Sequence, residues 1–389
     1  MPSNCGCVEV KTRLMNICVV SEDYPAEGHP YFAFVENLCI NIVKEGHHVT
    51  VIAPQSLTKI YLRGVKKLPY KSLQDGVTIY RPIYLTAGNL SVPFNYFAFS
   101  KAVGSVFSKI NKNIDVCYGH FWHSAYNLYP YARKFNKPLF VATGECEIEL
   151  HRNVPFKRLK GFIEYISGVI AVSTKNKEES ITAGLLFDKQ CAVIPNAIDN
   201  SVFRIMDREA SRRHFNVSDK DFVVAFVGGF IQRKGPGRLA LAIDSLNDEN
   251  IKSIFIGYCQ NGVIEYPECK GIIFRDKLKH DEIPFALNAA DVFVMPTLHE
   301  GCCNSIVEAM ACGLPVISSD RNFNYDVLNS SNSILVDPMS IEEIADAIRT
   351  LKTDNHLYDK LKQGAFETSK QLSIQLRARK IIDFIKKNI

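Results

Sequence analysis

The chain has 389 residues, enough for two or three domains at roughly 100 to 200 residues each, so a small scaffold held by staples is excluded. Hydrophobic residues make up 47% and charged residues 22%, the balance of a folded, water-soluble protein rather than a disordered or collagen-like one. A net charge of +5 is too small for a nucleic-acid signature of the whole protein, so no nucleic acid is expected and the partner must be argued from local sites.

In chain order, residues 15–20 (MNICVV) are a short apolar run that predicts a buried strand. The polar loop SEDYPAEGHP follows, then Tyr31, Phe34, Val35, Leu38 and Ile42 at helical spacing. Gly46 stops that helix and HHVTVIAP supplies the next strand, so the opening unit is βαβ with a parallel pair. Further strands are expected at 114–119, 138–143, 168–173 and 191–195, separated mostly by helices, which makes one doubly wound domain over residues 15–194. Residues 1–14 are expected to be an extension that the fold does not need. After a polar stretch at 199–221, a second series predicts strands at 222–229, 253–257, 271–274, 291–296, 314–318 and 333–337, a second domain over 195–371. Ile374, Ala378, Ile381, Ile382, Ile385 and Ile389 mark one face of a final helix. Two successive parallel-sheet domains create a ligand cleft where the carboxyl ends of their strands face each other.

Twelve cysteines show no CxxC pair and no Cys/His spacing suited to zinc. Most sit in apolar runs such as NICVV and DVCYG, as free thiols do in a reducing cytosol. No run of about 18 apolar residues occurs, so neither a signal peptide nor a membrane span is expected.

The most specific segment is residues 300–318, EGCCNSIVEAMACGLPVIS. Glu300 and Glu308 stand eight positions apart, about 80° of rotation and about 12 Å of rise on a helix, so both can line one side of a ligand. Gly301 and the backbone N–H groups of Cys302, Cys303, Asn304 and Ser305 fall between them at a helix amino end, where orphan donors and the helix dipole favour a diphosphate. The competing structural explanation makes Ser305 and Glu308 a capping box and Glu300 a solvated loop acid. In the first βα unit of the second domain, Gly228 and Gly229 lead to Arg233 and Lys234 just before a helix. Adjacent cations there can neutralise a departing diphosphate.

These two segments, with Ile194-Pro195-Asn196-Ala197-Ile198-Asp199 ahead of them, resemble the retaining nucleotide-sugar glycosyltransferases of family 4, also called glycosyl transferases group 1. The resemblance spans about residues 15–389. It implies the GT-B fold: two Rossmann-like, doubly wound α/β domains facing a central cleft, with the donor held mainly by the second, the acceptor by the first, and helix 372–389 returning to the first. It also implies that Lys234 binds the donor diphosphate, Glu300 the donor sugar and Glu308 the ribose. Many members carry Arg where this chain has Gly229, and Arg233 then supplies the second positive charge. Gly28 stands where the family often has paired glycines near the donor phosphates. His120, after the strand 114–119, matches a histidine beside the reacting sugar, with His123 as a rival that falls in the next helix. Glu145, in a Thr143-Gly144-Glu145 turn, is expected to orient an acceptor hydroxyl. No metal or other cofactor is expected beyond the nucleotide-sugar co-substrate, with UDP favoured on frequency alone.

Lys59, Arg63, Lys66, Lys67 and Lys71 form a stretch without any Asp or Glu, and Arg152, Lys157, Arg158 and Lys160 are interleaved with Phe156 and Phe162. Basic segments with apolar anchors suit an anionic membrane surface or a lipid-linked diphosphate acceptor. The expectation is therefore a cytoplasmic enzyme, peripheral on the cytoplasmic face of a membrane, that transfers a sugar to a glycan or lipid-linked acceptor in surface-polysaccharide or glycolipid assembly. Two alternatives are a nucleotide-sugar 2-epimerase of the same fold and a non-catalytic two-lobed sugar-binding protein.

Overall fold

The computed structural model describes residues 14–26, 32–187, 190–259 and 262–389. Its strands are β1 (Asn16–Val20), β2 (His48–Ile52), β3 (Gln55–Ser56), β4 (Lys71–Gln74), β5 (Val77–Tyr80), β6 (Ile83–Tyr84), β7 (Val116–His120) and β8 (Leu139–Thr143). They continue as β9 (Gly168–Ala171), β10 (Cys191–Val193), β11 (Phe222–Val227), β12 (Ile251–Ile256), β13 (Ile272–Asp276), β14 (Val292–Met295), β15 (Val316–Ser319) and β16 (Ser333–Val336). By compactness the chain divides into two units, 1–141 with 153–167 and 389, and 142–152 with 168–388. The sequence boundary near 195 does not coincide with that division, which assigns residues 168–194 and the final helix to the second unit.

One sheet has the order β10-β9-β8-β7-β1-β2-β5-β4, and the other β13-β12-β11-β14-β15-β16. Val, Ile, Phe and Leu are the commonest residues of β8, β9, β14 and β15, and every residue of these strands and of β7 is buried, as parallel strands covered by helices on both faces must be. Gly46 adopts φ +90 just past the helix Ala33–Lys44, the left-handed stop expected of it. Each sheet reverses its winding once, between β1 and β7 and between β11 and β14. Ligands bind outside the carboxyl ends of the strands at such switch points, so the loops after these four strands are where chemistry belongs.

The sequence reading misses four short strands. The most legible is the antiparallel β4–β5 hairpin, which turns on Asp75 (φ 46) and Gly76 (φ 80). Two positive φ angles are the demand of a type I′ turn, and Asp-Gly is its usual pair. The final helix runs Ile374–Lys387 and buries Ile374, Ala378, Ile381, Ile382 and Ile385 as expected. Ile389 lies beyond the helix end and is exposed, which corrects its place on that face. Among the described residues no helix is long and apolar enough to cross a membrane.

Candidate active site

In the second unit, the loops after β11 and β14 are bound to each other. The Leu298 N–H donates to the Arg233 carbonyl at 2.8 Å, and the Thr297 hydroxyl donates to the same carbonyl at 3.2 Å. The buried Arg238 guanidinium donates to the carbonyls of Gln232, Pro296 and Pro338, a seam invisible in sequence because its partners are backbone atoms, two of them 58 and 100 positions away. Gly235 takes φ +77 at the start of the helix Pro236–Ser245, and a Cβ there would stand 2.6 Å from the Pro296 carbonyl oxygen.

This seam brings Arg233, Lys234 and Glu300 together. Glu300 is only 6% exposed, and its Oε1 accepts from Lys234 Nζ at 2.5 Å, Arg233 at 2.8 Å and the Thr297 hydroxyl at 2.9 Å. Burial pushes the Glu300 carboxyl up, but the charges of Lys234 and then Arg233 outweigh it and hold the group below the usual carboxylate range. Burial likewise pushes the Lys234 ammonium down, and Glu300 more than reverses it, so the lysine stays charged. Lys234 also interacts with Cys303, so its charge stands beside the amino end of the helix Asn304–Ala311. Lys234 thus stands near the start of that helix, whose first N–H groups, among them those of Asn304 and Ser305, have no partner within the helix.

The capping-box alternative fails. Cys303 is the N-cap, so Ser305 is the second helical residue and Glu308 the fifth, beyond the position from which a box closes. Glu308 instead lies 3.9 Å from His280 Nε2, and this carboxylate raises the His280 imidazole above its usual range. Sequence reading did not single out His280, which lies 28 positions away on the loop after β13. Burial pushes the Cys302 thiol up to about 12 and raises Cys303 too, so both are neutral thiols rather than nucleophiles. The Asn196 amide donates to the Cys302 carbonyl at 3.1 Å and to Asn304 Oδ1 at 2.8 Å, so the 194–199 motif fastens the loop that carries Glu300.

Gly301 packs against the turn after β8: a Cβ on it would lie 2.4 Å from the Gly144 carbonyl oxygen. In that turn the Glu145 carboxylate folds back, accepting from the Thr143 hydroxyl at 2.7 Å and the Gly144 N–H at 2.8 Å. Gly28 lies outside the described residues.

In the first unit, His120 ends β7, is buried, and packs against the rings of Phe34 at 5.3 Å and Phe121 at 4.6 Å. Phe121 holds φ 73 and ψ 155, backbone that only glycine adopts without strain. Strain of this kind concentrates at functional turns, and here it redirects the chain from β7 into the helix Trp122–Lys134. His123 lies in that helix as expected, with Nδ1 3.1 Å from Glu22 Oε1. Burial raises the Glu22 carboxyl, but His123, Lys59 and His120 together hold it below the usual range. Glu22 follows β1, so the switch point was the signal that could have found it. Lys59 and Lys66 line a cavity beside Glu22 while both side chains remain exposed.

Two family models match consecutive stretches of the chain, "Glycosyltransferase Family 4" over residues 33–202 and "Glycosyl transferases group 1" over residues 207–368. The chain belongs to the family 4 glycosyltransferases. This glycosyltransferase is 25% identical over 369 residues to a Bacillus subtilis protein named for teichuronic acid biosynthesis, TuaC, covering 91% of this chain and 93% of that one. It is 27% identical over 202 residues to the Escherichia coli UDP-Gal:alpha-D-GlcNAc-diphosphoundecaprenol alpha-1,3-galactosyltransferase, covering 49% of this chain and 52% of that one. Among solved structures it superposes on Anabaena Alr3699/HepE in complex with UDP and glucose with a TM-score of 0.72 at 17% identity, covering 96% of this chain and 100% of that one. Sucrose-phosphate synthase from Thermosynechococcus elongatus gives 0.74 at 18% identity, covering 96% and 98%. The fold of the glycosyltransferase is therefore GT-B.

Proposed function

We propose that this glycosyltransferase moves a sugar, with retention of configuration, from a UDP-sugar to a glycan or lipid-linked acceptor in surface-polysaccharide or glycolipid assembly. The observation that carries the reading is the convergence of Arg233, Lys234 and Glu300 beside the amino end of the helix Asn304–Ala311, at the switch point of the second sheet. A diphosphate bound there meets two cations and the helix donors, so charge developing on the leaving phosphate is stabilised by groups already in place. Glu300 orients the donor sugar and Glu308 receives the ribose hydroxyls. Residues 195–371 form the donor side; residues 15–194, with 372–389, form the acceptor side. His120 stands near the reacting sugar and Glu145 near the acceptor.

Retention needs no protein nucleophile in this mechanism. The incoming hydroxyl attacks the anomeric carbon on the face that the diphosphate leaves, and the departing phosphate oxygen takes the hydroxyl proton. The raised thiols of the partly exposed Cys302 and the buried Cys303 support a route without a covalent intermediate on either cysteine.

Peripheral attachment to the cytoplasmic face of an anionic membrane is part of the proposal. Residues 57–114 carry nine Lys or Arg and one acid, Asp75. Tyr61, Leu62, Phe97 and the 95% exposed Leu90 project from that region, with Lys101 over the Phe97 ring at 5.4 Å. Exposed apolar anchors among unbalanced cations favour an anionic bilayer.

Incubation with UDP-, GDP- and ADP-sugars and candidate acceptors tests the reaction. Acceptor-dependent release of UDP, with the donor's anomeric configuration kept in the product by proton NMR, is expected. Inversion, or release of another nucleoside diphosphate alone, contradicts the proposal.

A further inference from the structure

We infer that the cavity at the carboxyl ends of β1 and β2 in the first unit binds the acceptor as a phosphate-bearing sugar, its phosphate on Lys59 and Lys66 and its hydroxyl on Glu22, which His123 positions. The inference rests on the glycosyltransferase reading and names the acceptor class for it. The cavity holds about 310 Å³, within the range of small-molecule sites. Glu22 and Asp23 enter it from the loop after β1, at the switch point of the first sheet, and Phe32 and Tyr84 contribute rings. Lys59 and Lys66 enter from a different element, the helix Leu57–Arg63 and the loop that follows it.

The two kinds of charge decide the ligand. Carboxylates accept hydrogen bonds from sugar hydroxyls but repel a bare anion, so the cavity does not suit inorganic phosphate. The lysines would have no counterpart on a neutral sugar: among the described residues neither forms an ion pair within 4 Å, Lys59 acts on Glu22 only at longer range, and residues 57–74 contain no acid. A ligand with hydroxyls at one end and a phosphate at the other satisfies both sets. Phe32 and Tyr84 also line the cavity, and aromatic side chains suit the apolar C–H face of a sugar ring. Glu22 is held in place by His123, 3.1 Å away, whose own ring is packed edge-on by Tyr96 at 4.5 Å and Phe99 at 4.9 Å.

The test titrates the full chain by calorimetry with decyl α-N-acetylglucosaminyl diphosphate, its methyl diphosphate counterpart, and the neutral decyl α-N-acetylglucosaminide, each beside a UDP titration. The wild type should bind both diphosphate esters about tenfold or more tightly than the neutral glycoside, as charge-assisted contacts require. Lys59→Ala with Lys66→Ala should abolish the preference, Lys59→Arg with Lys66→Arg should keep it, and Glu22→Gln should weaken all three probes about tenfold. Melting curves of the Arg pair guard against a folding defect. UDP binding should be unchanged throughout, so a loss of UDP binding by the wild type would strike the glycosyltransferase reading and not this site. Equal binding of charged and neutral probes, a preference that survives the Ala pair, or binding of the decyl ester without the methyl ester would overturn the inference.

Discussion

Lys234→Ala is expected to destabilise the second unit in a way that depends on the charge of Glu300. Lys234 lies 2.5 Å from Glu300 Oε1, and the carboxylate is almost wholly buried. Breaking a buried pair by removing one partner costs about 3–5 kcal/mol, because the other charge is left uncompensated. Here Arg233 remains at 2.8 Å, though its side chain is 35% exposed and its charge partly screened, so the expected loss is about 2 kcal/mol. In a domain of roughly 150–250 residues that is a fall of about 4–8 °C in Tm, measured by calorimetry without ligand at pH 7. The sign with pH follows from Glu300. Its folded carboxyl is held below its unfolded value, so the stabilisation is full above about pH 4.3 and is lost as pH falls through the folded value. The gap between wild type and variant should therefore narrow in acid, and adding Glu300→Gln to Lys234→Ala should restore most of the lost Tm at pH 7. A gap under about 1 °C at pH 7, or one that widens toward acid, would refute the ion triad.

Glu308→Gln should weaken UDP binding about tenfold while Tm hardly moves, because the residue is no cap, and it should lower the His280 titration midpoint in NMR. An unchanged midpoint would separate the two side chains. Gly301→Ala should cost about 1–3 kcal/mol by thermal melting, as its Cβ would meet the Gly144 carbonyl oxygen at 2.4 Å; a neutral effect would show that the loop yields freely. The chain should co-sediment with anionic liposomes and release as salt rises past physiological strength, where the screening length is about 8 Å. Equal binding to neutral vesicles would contradict the electrostatic part of the attachment.

The parallel strands of both sheets are legible because most are short, mainly apolar runs, and the donor segments because their residues lie in two short contiguous stretches. Arg233, Lys234 and Glu300 were named from sequence, yet their ion triad was not, since it depends on the Leu298–Arg233 seam between loops. The Glu22–His123 pair joins residues 101 positions apart through the order of strands in the sheet, which local patterns do not encode. The basic run is legible as a surface, but not that Lys59 and Lys66, both exposed, also border a cavity with Glu22 and Asp23, because those acids follow a strand about 40 positions earlier. The Asp75-Gly76 turn was a readable signal, obscured because its short strands bury only alternate residues of β5.

The central claim is that the donor diphosphate rests on Arg233, Lys234 and the amino end of the helix Asn304–Ala311, and a calorimetric UDP titration tests it most directly. Replacing both cations with Ala should weaken UDP binding by about 2–4 kcal/mol, roughly 30- to 1,000-fold. Unaltered UDP affinity in a folded double variant would contradict the claim.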